Sequence, residues 1–525
     1  TSVLRTNQAY NAYNQLTKQA WQMGSTAYSE TYTYNDSDGS LNTMTTGVGT
    51  TLTMGYDGLR RLTSVTGGPF NRSYAYRDIS GTATTLQVSQ LSYPNLGSGV
   101  SFGYTYDNLG NIATYTAPDG EVITYSYDNQ GQLLKAEGDA TYLYVYDSVG
   151  NILSANGHTY SYGNANWKDL LTAFDGQSIT YDANGNPTKY YNGGTMTWRN
   201  GRQLASYSLG GTTYSYEYDV NGLRTRKTNA DGGYTEYYII DGLPVAEQRH
   251  YDSGAEWYTM RYLYDESNNP VGFGMQYPTE TKWENYYFAK NVQGDIVAIY
   301  RYDYNASTNS PYGTLIATYE YDPWGKPQGI KDASGKTIAQ TANHVATYNP
   351  FRYRGYRYDG DTGLYYLQSR YYDPMTCRFV NADRYASTGQ GPIGNNMFSY
   401  CNNSPVRYDD QTGAMISGPG YMCVNDGGHA GPSEIGEDDD TSVIAGRQKK
   451  VKRKDDRHGN DQRSQTGARE RNVGHPNGEE HSRRAKGNRG VRRSMGHPDI
   501  PEPIFSIPKM NLEGNWCNVI EGGAL

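Results

Sequence analysis

The stretch YTYDNLGNI, residues 104–112, sets the pattern for most of the chain. Strict alternation puts Tyr104 and Tyr106 on one face of an extended segment and Thr105 on the other. Asp107, Asn108, Gly110 and Asn111 then supply a turn, because Asx side chains bond their own backbone and glycine accepts positive φ. A second strand starts at Ile112, so the unit reads as one β-hairpin. It returns as YDGLRRL at 56, YDNQGQL at 127, YDSVGNI at 146, YDANGNP at 181 and YDVNGLR at 218. From Tyr106 onward the copies are 21, 19, 35 and 37 residues apart, a period of about 20 with some units degenerate. Helical periodicity is hard to find before residue 380. The expected fold is all-β: a long antiparallel sheet of hairpins with tyrosine as the recurrent inward residue. So many strands should curl or close, since twist accumulates and open edges invite aggregation.

Composition agrees. The 525 residues include 54 Tyr against 9 Phe, with only 36% hydrophobic residues. Tyrosine buries a large apolar face while its hydroxyl needs a partner, which predicts an extensive, wet interior. Cys377, Cys401, Cys423 and Cys517 form no CxxC pair and no dense framework, so neither zinc nor a disulfide scaffold is indicated. Nothing asks for a metal or another cofactor. No apolar run reaches membrane-span length and no signal peptide is seen. The first residue is not Met, and the chain reads as a piece of something longer.

The repeats resemble Rhs or YD repeats, and NPFRYRGYRYDGDTGLYYLQSRYYDPMTCRFVNAD, residues 349–383, resembles the Rhs-repeat-associated core domain almost position by position. The resemblance covers residues 1 to about 415. It implies a spiralling, hollow β-shell like that of the C components of insecticidal toxin complexes and of teneurins, enclosing a variable C-terminal toxic cargo. The expected domains are a YD-repeat shell over 1–345, a core domain over 346–414, a linker over 415–446 and a variable basic segment of low order over 447–525.

In that family the core domain cuts its own chain after a motif of the form Asp-Pro-x-Gly-aliphatic. NSPVRYDDQTGAM, residues 403–415, matches it through Asp410 and Gly413, which puts the cut after Ala414. The family's Arg and second Asp carry over to Arg370 and Asp383. Such residues suit metal-free amide hydrolysis: one carboxylate activates water, a second donates a proton, and Arg370 holds the ionised partner. This copy departs from the pattern at Gln411, where Pro is usual, at Ala414, where Leu or Met is common, and at Cys377, where Gly is usual. Asp409 offers an alternative carboxylate. Taken singly, each YD unit is a solvent-facing turn rather than a site.

No Tyr follows Tyr421. Residues 447–493 hold 16 Lys and Arg against 6 Asp and Glu, leaving a balance of −18 elsewhere. That basic stretch has few apolar residues to bury, and its charge suits nucleic acid. His475, Glu479, Glu480 and His481, between Arg471 and Arg483, are candidates for phosphodiester cleavage, although the spacing fits no common zinc signature. As a whole the sequence reads as a secreted or cell-surface Rhs-type toxin fragment, with its own C-terminal segment as cargo and an immunity protein implied by the resemblance. The alternative is a structural or carbohydrate-binding surface protein, since rows of exposed Tyr make good sugar platforms.

Overall fold

The computed structural model describes residues 4–23, 26–68, 71–79, 83–96, 99–265, 267–307, 310–385, 393–414 and 416, plus the backbone at 509–510 and 516–517. The chain divides into two units, Thr1–Ala445 and Gly446–Leu525. In the second, Lys509–Met510 pairs antiparallel with Trp516–Cys517. The linker and the basic stretch with His475, Glu479, Glu480 and His481 lie outside the described residues. Among the described residues no helix is long and apolar enough to cross a membrane.

The first unit is built from hairpins. A sheet of 17 strands runs from Leu4–Tyr10 to Gln177–Ser178, and one of 14 from Thr180–Tyr181 to Pro327–Asp332. Strands pair antiparallel with their neighbours in sequence, as in Val100–Tyr106 with Ile112–Thr116 and Thr141–Tyr146 with Ile152–Ala155. Neither sheet closes into a barrel; instead distant strands meet face to face. Trp21 and Tyr28 of the first sheet pack in one cluster with Tyr238, Leu263 and Tyr287 of the second. Tyr93 Oη donates to Lys290 O at 3.0 Å, and Tyr104 Oη to Gln293 Oε1 at 2.9 Å.

The two residues of the YD pair have separate duties. Asp107 Oδ1 accepts from Leu109 N and Asn111 N, both at 2.8 Å, and Oδ2 accepts from Asn111 Nδ2 at 2.8 Å. Asp128 with Gln132, Asp147 with Asn151 and Asp182 with Asn186 repeat the arrangement. The glycine at the third place after Asp takes positive φ, +81° at Gly110 and +82° at Gly150, which most side chains resist. The tyrosine reaches backward. Tyr127 Oη donates to Ile112 O at 2.8 Å, Tyr146 Oη to Leu133 O at 2.7 Å and Tyr218 Oη to Leu204 O at 3.0 Å. Each hydroxyl therefore satisfies a main-chain carbonyl of an earlier unit, so the ring can be buried without stranding its polar end.

A four-stranded sheet, Arg357–Asp359, Leu364–Leu367, Arg370–Asp373 and Arg378–Phe379, belongs to the core segment. It is lashed to the repeats by buried charge. Arg224 meets Asp359 through Nη1 at 2.6 Å and Nη2 at 3.1 Å, and Arg357 Nη1 lies 2.8 Å from Glu247. Tyr190 Oη donates to Asp373 Oδ2 at 2.9 Å.

Candidate active site

Arg370 opens its strand directly after the two-residue loop 368–369, with Gln368 in the left-handed region at φ +60°. The guanidinium is buried and lies over the Phe379 ring, 3.4 Å from its centroid. Its Nη2 touches both carboxylates, Asp383 Oδ2 at 2.9 Å and Asp410 Oδ2 at 3.2 Å. Nη1 donates to Met397 O at 3.2 Å, and Nε donates to Gly413 O. Burial pulls the Arg370 pKa below its ordinary value, against the opposing pull of Asp410 and then Asp383. Arg370, Asp383 and Asp410 are thus brought together, although 40 residues separate Arg370 from Asp410 along the chain.

The segments that carry the two carboxylates are fixed by main-chain bonds. Asp383 N donates to Met397 O at 2.8 Å, and Val380 N to Tyr371 O at 2.8 Å. From the second sheet, Arg202 Nη1 donates to Ala382 O. Asp383 and Asp410 are buried, as is Ala414. Asp410 N donates to Tyr356 Oη at 2.6 Å, and Tyr356 Oη lies 3.0 Å from Tyr400 Oη. Asp410 Oδ1 accepts from Ala414 N at 3.0 Å. Ser369 Oγ stands 2.7 Å from both Thr412 O and Gly413 O. The candidate cleavage motif is therefore held at three successive residues. Gly413 is required here: its φ is +67°, and a Cβ would lie 2.6 Å from Leu367 O.

The three departures from the family pattern each find a place. Gln411 Nε2 donates to Arg354 O at 3.1 Å and to Asp409 Oδ2 at 2.9 Å, so the Asp409 carboxylate faces Gln411 while Asp410 meets Arg370. Cys377 does take positive φ, +57°, where glycine would be unstrained, and its buried thiol is pushed well above the ordinary value by burial. Ala414 contributes no side-chain donor.

A ladder of turn amides seats the segment before the motif. Arg407 Nη1 donates to Asn111 Oδ1 at 3.0 Å, Asn403 Nδ2 to Gln132 Oε1 at 2.8 Å and Asn396 Nδ2 to Asn151 Oδ1 at 3.0 Å. Asn111, Gln132 and Asn151 occupy the same place in three successive units, and the core segment meets them in reverse chain order. Sequence reasoning missed this ladder, Tyr356 and Ser369. The identical position of the three amides in their repeats was the available signal for the first; nothing local marked the other two. Among the described residues no group of three or more His, Cys, Asp or Glu is placed to hold a metal.

Tandem YD hairpins, a tyrosine-rich core segment and an Arg-bridged carboxylate pair define a repeat β-shell with that segment packed against it. Residues 106–142 match the RHS Repeat family. The chain is 30% identical over 329 residues to the tRNA nuclease WapA of Bacillus subtilis (strain 168), covering 61% of this chain and 12% of that protein. It is 26% identical over 249 residues to Double-stranded DNA deaminase toxin A of Burkholderia cenocepacia (strain H111), covering 38% and 17%. The matched stretches span only 12% and 17% of these relatives' lengths. The solved TcdB2-TccC3-Cdc42 structure superposes with a TM-score of 0.55 at 18% identity, over 77% of this chain and 23% of that one, a likeness of fold. The chain carries an RHS repeat and is similar to Rhs-type repeat proteins over the stretches given.

Proposed function

We propose that the chain is the closing part of an Rhs-type toxin shell that cuts its own backbone after Ala414, at work outside the producing cell or on its surface. The observation that carries this reading is Arg370 Nη2 in contact with two buried carboxylates, beside a motif whose Gly413 carbonyl and Ala414 amide are both held. In the reaction one carboxylate takes a proton from water, whose oxygen adds to the Ala414 carbonyl carbon. The other carboxyl gives its proton to the departing nitrogen of Met415 as the C–N bond breaks. The step needs one of the pair ionised and the other protonated. Arg370 stabilises whichever is charged. The segment after Ala414 is the cargo in this reading, and its basic stretch favours a nucleic acid target, in keeping with the activities for which the two relatives are named.

The test is to purify residues 1–525 and follow them on a denaturing gel with intact-mass analysis. A fragment ending at Ala414, absent from the Asp383→Asn and Asp410→Asn chains, is the expected result. An intact chain after prolonged incubation would end the protease reading. Incubation of the same preparation with RNA and DNA tests the cargo, which fails if no nucleic acid is altered.

A further inference from the structure

The cleavage motif and the repeat turn are the same local structure. In residues 107–111, Gly110 N donates to Asp107 O at 3.3 Å, Gly110 has φ +81°, and Asn111 N donates to Asp107 Oδ1 at 2.8 Å. In residues 410–414, Gly413 N donates to Asp410 O at 3.4 Å, Gly413 has φ +67°, and Ala414 N donates to Asp410 Oδ1 at 3.0 Å. Two bonds differ. The repeat turn gives Asp107 N to Asn111 O at 2.9 Å, whereas Asp410 N goes to Tyr356 Oη. The repeat turn also fills Asp107 Oδ2 with the Asn111 side-chain amide at 2.8 Å, whereas Asp410 Oδ2 meets Arg370.

The second difference is chemical. In the units at Asp57, Asp107, Asp128, Asp147, Asp182 and Asp265, the residue four places on has a side-chain donor that reaches the turn carboxylate. Residue 414 is alanine and has none. The turn at Asp219 ends in Leu223, also without a side-chain donor, so a missing donor alone does not make a site, and what sets Asp410 apart is Arg370. An amide at position 414 would reach back to Oδ2 over the short path that the repeats use, in competition with Arg370 for the same oxygen.

We propose that the self-cleavage site is a YD turn converted to chemistry by loss of the donor at its fifth residue, so that residue 414 decides whether the turn carboxylate serves its own turn or Arg370. This rests on the self-cleavage reading above. Residue 414 acts here as a positioning residue for Asp410.

The test compares Ala414→Asn with Ala414→Leu in the full chain, two side chains of nearly the same shape that differ in the donor. Both add similar bulk at a buried position, so packing largely cancels in the comparison. The expected result is cleavage about tenfold slower with Asn than with Leu, the worth of one competing hydrogen bond. Equal rates in the two variants would overturn the proposal. A crystal structure of the Ala414→Asn chain decides independently of whether the parent chain cuts. The introduced amide bonded to Asp410 Oδ2 supports the conversion, and the same amide turned elsewhere with Asp410 still on Arg370 refutes it.

Discussion

Two groups of buried acids in the core segment meet their cations differently: several cations act on Asp359, although Lys227 lies nearer Asp361 at 2.5 Å and Arg357 pairs with Glu247, whereas Asp383 and Asp410 converge on one. Asp359 meets Arg224 at 2.6 Å and Lys227 at 3.6 Å, with Arg357 also acting on it. Burial alone would raise its pKa, yet Arg224 and then Lys227 hold it down to about 2. Asp383 and Asp410 meet at Arg370 through a single nitrogen, while the nearby Arg202, which feels the Asp383 charge, is bonded to Ala382 O instead. An acid held down by Arg224 and further cations keeps one charge state and serves as a fastening. A pair that divides one bound guanidinium between them is the arrangement that the proposed cleavage calls for.

The largest expected effect breaks the second group. Asp410→Asn should reduce self-cleavage by about 10²–10⁴-fold, read from fragment yield over time, whereas Asp57→Asn in a repeat turn that makes no rung should leave the cut unchanged and lower stability by about 1 kcal/mol. Next comes the first group: Arg224→Leu leaves Asp359 buried with its main partner gone and should cost about 3–5 kcal/mol in urea unfolding. Ser369→Ala should slow the cut about tenfold without moving the unfolding midpoint, since Ser369 is exposed, and Ser369→Thr keeps the hydroxyl and should hold the parent rate.

The smallest effect concerns a turn acid whose burial outweighs everything that opposes it. Asp322 has the repeat-turn bonds, from Trp324 N and Lys326 N at 2.9 Å, but burial pushes its pKa up to about 7. A raised carboxyl stabilises the fold most below its ordinary value of 3.8, and that contribution is lost as pH climbs to about 7. For Asp359 the sign is reversed: its contribution is complete above 3.8 and is lost as pH falls toward 2. Asp322→Asn should therefore flatten the decline in thermal midpoint between about pH 4 and 7, by about two or three degrees, and leave the acid limb as it was.

Much of this is legible in the chain. The alternation in YTYDNLGNI and its Asx-Gly turns specify hairpins because both signals are local, and the strands at Val100–Tyr106 and Ile112–Thr116 fall where the pattern puts them. Arg370, Asp383 and Asp410 come from resemblance to a family motif, and the structure brings them together. What could not be read was any bond whose acceptor is a backbone carbonyl far along the chain. The hydroxyls of Tyr127 and Tyr146 announce a need for partners but not that Ile112 O and Leu133 O supply them. For the same reason Ser369 reads as a loop residue, its acceptors at Thr412 and Gly413 lying 43 and 44 residues on.

The backward-reaching tyrosines have one more consequence. Because the hydroxyl of each unit is satisfied by the unit before it, no bond of this kind depends on how many units there are. Such a wall can be lengthened or shortened by whole hairpins with its stitching intact. The core segment is bound to a different rule: its rungs at Asn111, Gln132 and Asn151 count three particular turns. Growth upstream of those turns leaves the rungs untouched, while a hairpin inserted among them would throw the proposed cut site out of step.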